Sequence, residues 1–458
     1  MFAFVPAMRI LALAVLPALG AIATANAAAP FEIGRRLELL ADHHLLGELK
    51  GDVRLQVLQP EPREVVFVTD EPWEGNTSGY YTVFQDGNLY RMIYRGWQHD
   101  AQKKALHQEI TCYAESRDGI RWTKPKLRLF EWNGSRENNI VWLDRGTHNF
   151  TAFRDDNPKA PANARYKALG GTGKRGVQAF QSPDCQRWTL IQDKEVITNG
   201  AFDSQNLAFW DADRGEYRAY WRFFDHKVRA IRTATSKDFI HWENEADLAY
   251  TDGTPTEHLY TNAIQKYFRA PHLFVGFPTR YEPKSQEVEP IFMISRDGRT
   301  FYRHGEAVIP RTAPENRNRN RSNYMVWGML QLPGKPKEIS VYGTENYYET
   351  TPGRVRRFVY RVDGFVALRA GAAGGETMTK PLRHSGRRLL LNYLVRPGGT
   401  LTVEALDAAG KVIGKSKALS GDGIDAPVAW EKDPRLQPGV VHLRFALKQA
   451  DVYSLRFD

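Results

Sequence analysis

SRDGIRW, residues 116–122, is the first of four related heptapeptides in this chain. The others are SPDCQRW at 182–188, SKDFIHW at 236–242 and SRDGRTF at 295–301. Their first residues lie 66, 54 and 59 positions apart, and similarity at such a period indicates stacked supersecondary units. The Asp of each heptapeptide can accept hydrogen bonds from backbone amides of a turn. We therefore interpret the heptapeptide as an Asp-box-like structural turn and not as a catalytic motif.

Three apolar and aromatic runs precede each heptapeptide, and turn residues separate them. In the first unit they are SGYYTVF, NLYRMIYRG and EITCYAES. This pattern predicts antiparallel strands, with the heptapeptide joining the third strand to the fourth. A fifth unit ends in a degenerate heptapeptide around Asp363-Gly364-Phe365. Five such units predict a five-bladed β-propeller over residues 65–370, because radial closure protects the sheet edges.

The C-terminal part of the chain has a different sequence pattern. Runs such as RRLLLNYLV, GTLTVEALDA and VHLRFALKQ alternate apolar and polar residues between turns. They predict a small antiparallel β-sandwich at residues 371–458 and make the whole protein all-β. Residues 28–64 are predicted to form a leader segment that covers the disc or takes part in its closure.

The N-terminal residues 1–27 have the composition of a secretory signal peptide. MFAFVPAMRILALAVLPALGAIATANA contains one arginine, an apolar run and a final Ala-Asn-Ala. The sequence therefore predicts an exported protein, either periplasmic or secreted. Because no second long apolar stretch follows, we expect no membrane association once this peptide is removed.

Charge and residue composition exclude several function classes. The formal net charge is +10, which favours anionic partners. The basic residues are dispersed and no recognition motif accompanies them, so nucleic acid is not an expected partner. The 12 His are scattered and the two Cys have no zinc-site spacing, so neither a metal nor another cofactor is predicted. A carbohydrate, including an anionic polysaccharide, remains the expected partner.

In a propeller, the segments that lead into the first strand of each blade converge on one face at the axis. Here these segments contain carboxylates, amides, histidines and aromatic residues. The candidates are Trp73 and Glu74 before blade one, His148, Asn149 and Asp155 before blade two, Asp203, Gln205 and Asn206 before blade three, Glu257, His258 and Tyr260 before blade four, and Arg311, Arg317, Arg319 and Arg321 before blade five. Three of the carboxylates, Glu74, Asp203 and Glu257, are the candidates for catalysis. Glycosidic cleavage uses such a set, since it needs one carboxylic acid and one carboxylate base or nucleophile.

At these residues the chain resembles the five-bladed propeller glycoside hydrolases of families 43 and 32, and most of all their uncharacterised bacterial members. AFDSQNLAFWDADRGEYRAYW is similar to the segment that carries the orienting Asp of that group, which implies this role for Asp203. TEHLYT is similar to the segment with the acid Glu, which implies that Glu257 is the general acid. The resemblance spans residues 65–370.

The blade-one Asp of that group is missing, because Thr77 and Ser78 occupy its expected place. Glu74 is the nearest substitute as base or nucleophile. The resemblance implies an exported hydrolase of a polysaccharide or its oligomers, without a cofactor.

Further residues are predicted to bind the substrate. Trp73, Trp221 and Tyr260 could stack on sugar faces. Arg317 and Arg319 could hold a carboxylate or sulfate through bidentate hydrogen bonds. Two alternatives stay open. One is a lectin-like propeller without catalysis, which the missing Asp favours. The other is a sialidase-like enzyme for acidic sugars, which the arginines and the Asp-box-like turns favour, although sialidases normally have six blades.

Overall fold

The structure is a computed structural model. It describes residues 1–2, 29–173, 175–251, 253–311, 323–349, 351–434 and 436–458. The predicted signal peptide, apart from Met1 and Phe2, and the predicted ligands Arg317 and Arg319 lie outside these residues. Within them, no helix has the length and apolar character needed to cross a bilayer.

The described chain begins with four strands that all pair with distant parts of the sequence. They are β1 (Phe31–Gly34), β2 (Glu38–Leu39), β3 (Leu46–Val57) and β4 (Glu61–Val68). Blades one and two follow. Blade one consists of β5 (Gly79–Asp86), β6 (Leu89–Gly96), β7 (Ile110–Ser116) and β8 (Trp122–Thr123), with β9 (Ile140–Trp142) paired to β7. Blade two consists of β10 (Thr151–Arg154), β11 (Tyr166–Gly170), β12 (Gln178–Ser182) and β13 (Thr189–Leu190).

Blades three and four repeat this antiparallel arrangement. Blade three consists of β14 (Leu207–Asp211), β15 (Glu216–Asp225), β16 (Val228–Ser236) and β17 (Trp242–Asp247). Blade four consists of β18 (Ala249–Tyr250), β19 (Ile264–Tyr267), β20 (Ala270–Gly276), β21 (Thr279–Tyr281), β22 (Val288–Ser295) and β23 (Thr300–Ala307). Two short 3-10 helices in the described chain, Thr147–Asn149 and Ala162–Ala164, flank β10.

Blade five closes the ring with a strand from the other end of the propeller. Its middle strands are β24 (Glu338–Glu345) and β25 (Arg354–Arg361), and isolated bridges join β24 to an inner segment at residues 325–330. Its outer strand is β4, which pairs antiparallel with β25. Because the N-terminal strand completes the last blade, the described residues form a closed five-bladed propeller whose ends are tied by backbone hydrogen bonds.

The second unit is an antiparallel β-sandwich. Its strands are β26 (Val366–Thr379), β27 (Leu382–His384), β28 (Leu389–Leu406), β29 (Val412–Lys415), β30 (Gly421–Pro427) and β31 (Gly439–Phe457). The N-terminal strands β1, β2 and β3 pair with β27, β31 and β26, so they belong to this unit. This pairing differs from the sequence prediction, in which residues 28–64 form a leader segment that covers the disc or takes part in its closure. In addition, β26 runs without interruption through residue 370, where the sequence suggested a boundary.

The four heptapeptides join the third strand of their blade to the fourth through one repeated set of hydrogen bonds. In the second, Asp184 Oδ1 accepts from the backbone amides of Gln186 and Arg187 at 2.9 and 2.8 Å. Ser182 Oγ accepts from the Cys185 amide at 2.9 Å. The fourth position has positive φ in all four turns, although Cys185 and Phe239 stand where the other two have glycine. These local hydrogen bonds explain why the motif recurs.

Candidate active site

A pocket opens at the propeller axis, where the segments entering the first strands converge. The space between its walls, with open solvent included, is about 470 Å³. Aromatic and polar side chains line it, among them Tyr80, Gln205, Tyr260, Tyr324, Thr344 and Tyr347. Gln205 Nε2 donates across the axis to the Tyr81 carbonyl oxygen at 3.2 Å, which ties blade three to blade one at this pocket. Tyrosine rings suit sugars, which present both C–H faces and hydroxyl groups.

Three titratable side chains from three blades form a hydrogen-bonded row beside this pocket. Glu109 precedes β7, His148 lies in the 3-10 helix before β10, and Asp203 precedes β14. Glu109 Oε1 is 2.6 Å from His148 Nδ1, and Asp203 Oδ1 is 2.9 Å from His148 Nε2. Arg95 Nη1 also lies 3.2 Å from His148 Nδ1, so this nitrogen faces both a carboxylate and a guanidinium group. We call these three residues the carboxylate–imidazole row.

Arg95 contacts the carboxylate–imidazole row at Glu109. It is buried, and its Nη2 donates to the Thr77 carbonyl oxygen and to the Tyr347 hydroxyl, both at 2.8 Å. Its Nη1 is 3.5 Å from Glu109 Oε1, and its guanidinium carbon lies 4.9 Å from the centre of the Tyr80 ring. The Tyr80 ring is in turn 5.4 Å from the His148 ring. These contacts place the row against the tyrosine wall of the pocket.

Both carboxyl groups of the row are ionised more readily than usual. Burial opposes ionisation of Asp203, but the hydrogen bond and charge of His148, with the charges of Arg222 and Arg95, lower its pKa. Burial likewise opposes ionisation of Glu109, and the His148 hydrogen bond and the Arg95 charge lower its pKa. Cations therefore outweigh desolvation at both ends of the row.

The members of the row differ in their access to a ligand. The Asp203 side chain is 55% exposed, whereas Glu109 is 19% and His148 15% exposed. Glu109 Oε2 and Asp203 Oδ2 accept no hydrogen bond from the residues that the structure describes, and Arg222 Nη2 approaches Asp203 Oδ2 only to 3.8 Å. Each carboxylate thus has one oxygen held by His148 and one free for a substrate or water.

Glu74, a predicted base or nucleophile, lies in a different environment. Its side chain is fully buried, and its Oε2 forms an ion pair with Lys124 Nζ at 2.7 Å. Its Oε1 accepts from the Tyr94 hydroxyl. Burial raises its pKa, while Lys124 and Tyr94 act in the opposite direction. The structure therefore holds Glu74 inside blade one, where Lys124 balances its charge.

Glu257, the predicted general acid, lies between two arginines of its own blade. Its Oε1 accepts from Arg280 Nη1 and its Oε2 from Arg303 Nη2, both at 3.0 Å. It lines a separate, charged depression together with His258 and Arg311. Both of its oxygens are thus engaged by guanidinium groups.

Asp155 lies at the other end of its strand from the pocket. It follows β10, whereas the converging segment precedes β10. Its side chain is buried, forms an ion pair with Lys167 and accepts from the Tyr217 hydroxyl at 2.7 Å. It connects blades two and three through these contacts.

Most of the remaining predicted residues make structural contacts. Asn149 Nδ2 donates to the Ser204 carbonyl oxygen at 2.5 Å, and Asn206 Nδ2 to the Phe202 carbonyl oxygen at 3.1 Å. Trp221 is buried, and Trp73 Nε1 donates to Asn139 Oδ1 at 2.8 Å. His258 Nδ1 accepts from the Arg229 amide at 3.2 Å. Of the predicted set, Gln205 and Tyr260 line the axial pocket, and His148 and Asp203 lie beside it.

The sequence interpretation missed several residues of the site. They are Tyr80, Arg95, Glu109, Arg222 and Tyr347. Arg95 ends β6 and Glu109 precedes β7, so both flank the loop between the second and third strands of blade one. That loop reaches the same face as the segments entering the first strands. The Glu before ITCYAES was the signal available in the sequence. No cluster of three or more His, Cys, Asp or Glu able to hold a metal ion occurs among the described residues.

Comparisons with known proteins give only distant structural likenesses and no family. No protein-family model matches the sequence, and no curated protein matches it significantly. Solved structures that it resembles include a Bacillus subtilis glycoside hydrolase family 43 arabinoxylan arabinofuranohydrolase in complex with cellotetraose. That likeness has 11% identity and a TM-score of 0.44, and it covers 87% of this chain and 99% of the enzyme.

Two other solved structures show likenesses of similar strength. The Bombyx mori family 32 β-fructofuranosidase shares 9% identity, with a TM-score of 0.42, over 89% of this chain and 95% of its own. An N-acetylgalactosamine deacetylase from F. plautii, in complex with blood group B trisaccharide, shares 10% identity, with a TM-score of 0.45, over 68% of this chain and 96% of its own. These likenesses carry no information on the reaction at the propeller axis.

Proposed function

We propose that this protein is an exported glycoside hydrolase that cleaves an oligosaccharide or polysaccharide at the axial pocket. The observation that carries this proposal is the carboxylate–imidazole row, which brings Glu109 and Asp203 to opposite edges of one imidazole. Glycosidic hydrolysis requires a proton donor for the leaving oxygen and a carboxylate that activates water. The tyrosine-lined pocket supplies the surface for the sugar. Export is inferred from residues 1–27 of the sequence.

In this proposal Asp203 delivers the proton to the leaving oxygen. It is the most exposed member of the row, and His148 Nε2 already points its hydrogen at Asp203 Oδ1. Glu109 acts as the base, because His148 at 2.6 Å and Arg95 at 3.5 Å keep it ionised. Its free Oε2 takes the proton of the attacking water.

The imidazole returns the row to its starting state. A proton passes from His148 Nε2 to Asp203 and on to the glycosidic oxygen as the bond to the anomeric carbon breaks. Water attacks that carbon and gives a proton to Glu109. His148 Nδ1 keeps the proton that it shares with Glu109 at 2.6 Å, so Glu109 releases the proton of water to solvent, and His148 Nε2 takes up one proton from solvent to restore the row. One water is consumed and one hydroxyl is formed on each product.

The spacing of the carboxylates favours inversion at the anomeric carbon. Retaining glycosidases hold their carboxyl groups about 5–5.5 Å apart, and inverting enzymes about 6.5–9.5 Å apart. In the row, the imidazole ring and hydrogen bonds of 2.6 and 2.9 Å separate the two carboxylates. Because the ring lies between them, the two carboxylates are farther apart than a retaining pair.

Glu74 and Glu257 receive no acid or base role in this proposal. A general acid must give up its proton to the substrate, and both oxygens of Glu257 accept from arginines instead. Glu74 has no exposed side-chain surface. We assign both to structural ion pairs, one inside blade one and one inside blade four.

The proposal is tested by sugar release from a panel of neutral and acidic oligosaccharides. Glu109→Gln is expected to lower kcat by about a hundredfold or more, because glutamine cannot accept the proton of water. Glu115→Gln is the matched control, since Glu115 lies on the same strand β7 and pairs with the Tyr113 hydroxyl at 2.8 Å. Retained activity in Glu109→Gln, together with a loss in Glu257→Gln, would contradict the assignment.

A further inference from the structure

Arg229 carries a charge that no carboxylate of the described chain balances. It is partly buried at the start of β16, yet no Asp or Glu lies within ion-pair distance of it. Its Nη1 is 3.4 Å from His258 Nδ1, and its Nε is buried without a hydrogen-bond partner. Every other described arginine that is not fully exposed has a carboxylate partner. Because an unpaired charge away from water is unfavourable, such a residue usually serves a ligand.

Arg222 stands next to Arg229 on the pocket side of blade three. It is buried, its Nη1 has no hydrogen-bond partner, and its nearest carboxylate oxygen is Asp203 Oδ2 at 3.8 Å. The two guanidinium carbons lie 4.9 and 5.2 Å from the centre of the Tyr260 ring. Tyr260 lines the axial pocket, so both guanidinium groups lie beside one wall of that pocket.

The local charge balance is positive. The row and its surroundings contain the cations Arg95, Arg222 and Arg229 but only the anions Glu109 and Asp203. In a partly closed pocket these charges are screened less than at the surface. A substrate that brings its own negative charge would restore the balance.

We propose that Arg222 and Arg229 form a subsite for an oxyanion carried by the sugar, either a uronic acid carboxylate or a sulfate ester. Guanidinium groups present paired N–H donors that match both groups. The exposed ring of Phe224, 5.5 Å from each guanidinium carbon, adds an apolar edge to this subsite. The inference names the substrate class of the proposed hydrolase and therefore rests on that proposal for its biological role, but binding can be measured without turnover.

The test compares binding of matched ligands by titration calorimetry, in a Glu109→Gln background that suppresses hydrolysis. The ligands are a uronic acid oligosaccharide, its carboxyl-reduced form and an O-sulfated oligosaccharide of the same sugars. Without further substitution, the protein is expected to bind an anionic member at least about tenfold more tightly than the neutral one. The preferred anion distinguishes carboxylate from sulfate. Added salt should reduce this preference.

The substitution Arg229→Ala should lower the affinity for the preferred anionic ligand about tenfold. The affinity for the neutral ligand should stay unchanged. Arg229→Gln repeats the test with more of the side chain retained, and thermal unfolding verifies that both variants fold. Arg117→Ala, which removes an exposed arginine from the first heptapeptide, is the control for net charge. Equal affinity for all three ligands, or equal losses for neutral and anionic ligands, overturns the subsite. Tight anion binding, combined with a lack of hydrolysis by the unmodified protein, would uphold the subsite and contradict the proposed hydrolase.

Discussion

The substitution Asp203→Asn is expected to lower kcat on natural oligosaccharides by about a hundredfold or more. Asparagine keeps an oxygen that can accept from His148 Nε2, now at 2.9 Å from Asp203 Oδ1, but it cannot pass a proton to the leaving group. An aryl glycoside with an acidic phenol departs without protonation. The same variant should therefore lose much less activity on that substrate, which separates a proton donor from a residue that only binds.

The control for this experiment is Asp156→Asn, which changes an exposed aspartate that pairs with Arg154 Nε at 2.8 Å beyond β10. Its activity should match that of the unmodified protein on both substrates. Two outcomes for Asp203→Asn would contradict the role as proton donor. One is an equal loss on both substrates, and the other is full activity on the natural oligosaccharide.

The second large effect concerns stability. Asp363 is buried, and its carboxylate accepts from Arg269 Nε at 3.0 Å, Asn392 Nδ2 at 3.1 Å and Ser454 Oγ at 2.7 Å, as well as from the Tyr267 hydroxyl. These partners belong to blade four and to the β-sandwich. Asp363→Ala is expected to lower the free energy of unfolding by about 3–5 kcal/mol, because it leaves buried donors and a cation without their acceptor.

Urea unfolding followed by tryptophan fluorescence measures this loss. Asp425→Ala is the matched control, since Asp425 is the other carboxylate partner of Arg269, at 2.9 Å, and its side chain is 28% exposed. Asp425→Ala should lower the free energy of unfolding by clearly less, because solvent compensates a partly exposed charge. A change within about 1 kcal/mol for Asp363→Ala would mean that the other contacts between propeller and sandwich carry the stability instead.

The propeller was predictable from sequence because its signal is local and repeated. Asp184 and its equivalents bond to amides only two and three residues ahead, so each blade contains the same short pattern. The degenerate fifth copy at Asp363 has lost this local role and gained long-range partners instead. Closure by β4 and the pairing of β1–β3 with the sandwich were not predicted as such. Strand pairing across hundreds of residues leaves no periodic trace in the sequence.

The site was only partly predictable, for a geometric reason. Segments that enter the first strand of each blade reach the axis, where Tyr260 lines the pocket and Asp203 contacts His148. Loops between the second and third strands reach the same face, and Glu109 comes from one of them. A sequence pattern also cannot show that Arg280 and Arg303 flank Glu257, because these residues come from other strands of blade four.

The configuration of the first sugar released tests the central claim most directly. Proton NMR during the first minutes of hydrolysis distinguishes the two anomers before mutarotation mixes them. Glu109 and Asp203, held apart by the His148 ring and hydrogen bonds of 2.6 and 2.9 Å, predict inversion, with the signal absent in Glu109→Gln. A product of retained configuration, or an unchanged signal in Glu109→Gln, would show that hydrolysis does not proceed through the carboxylate–imidazole row.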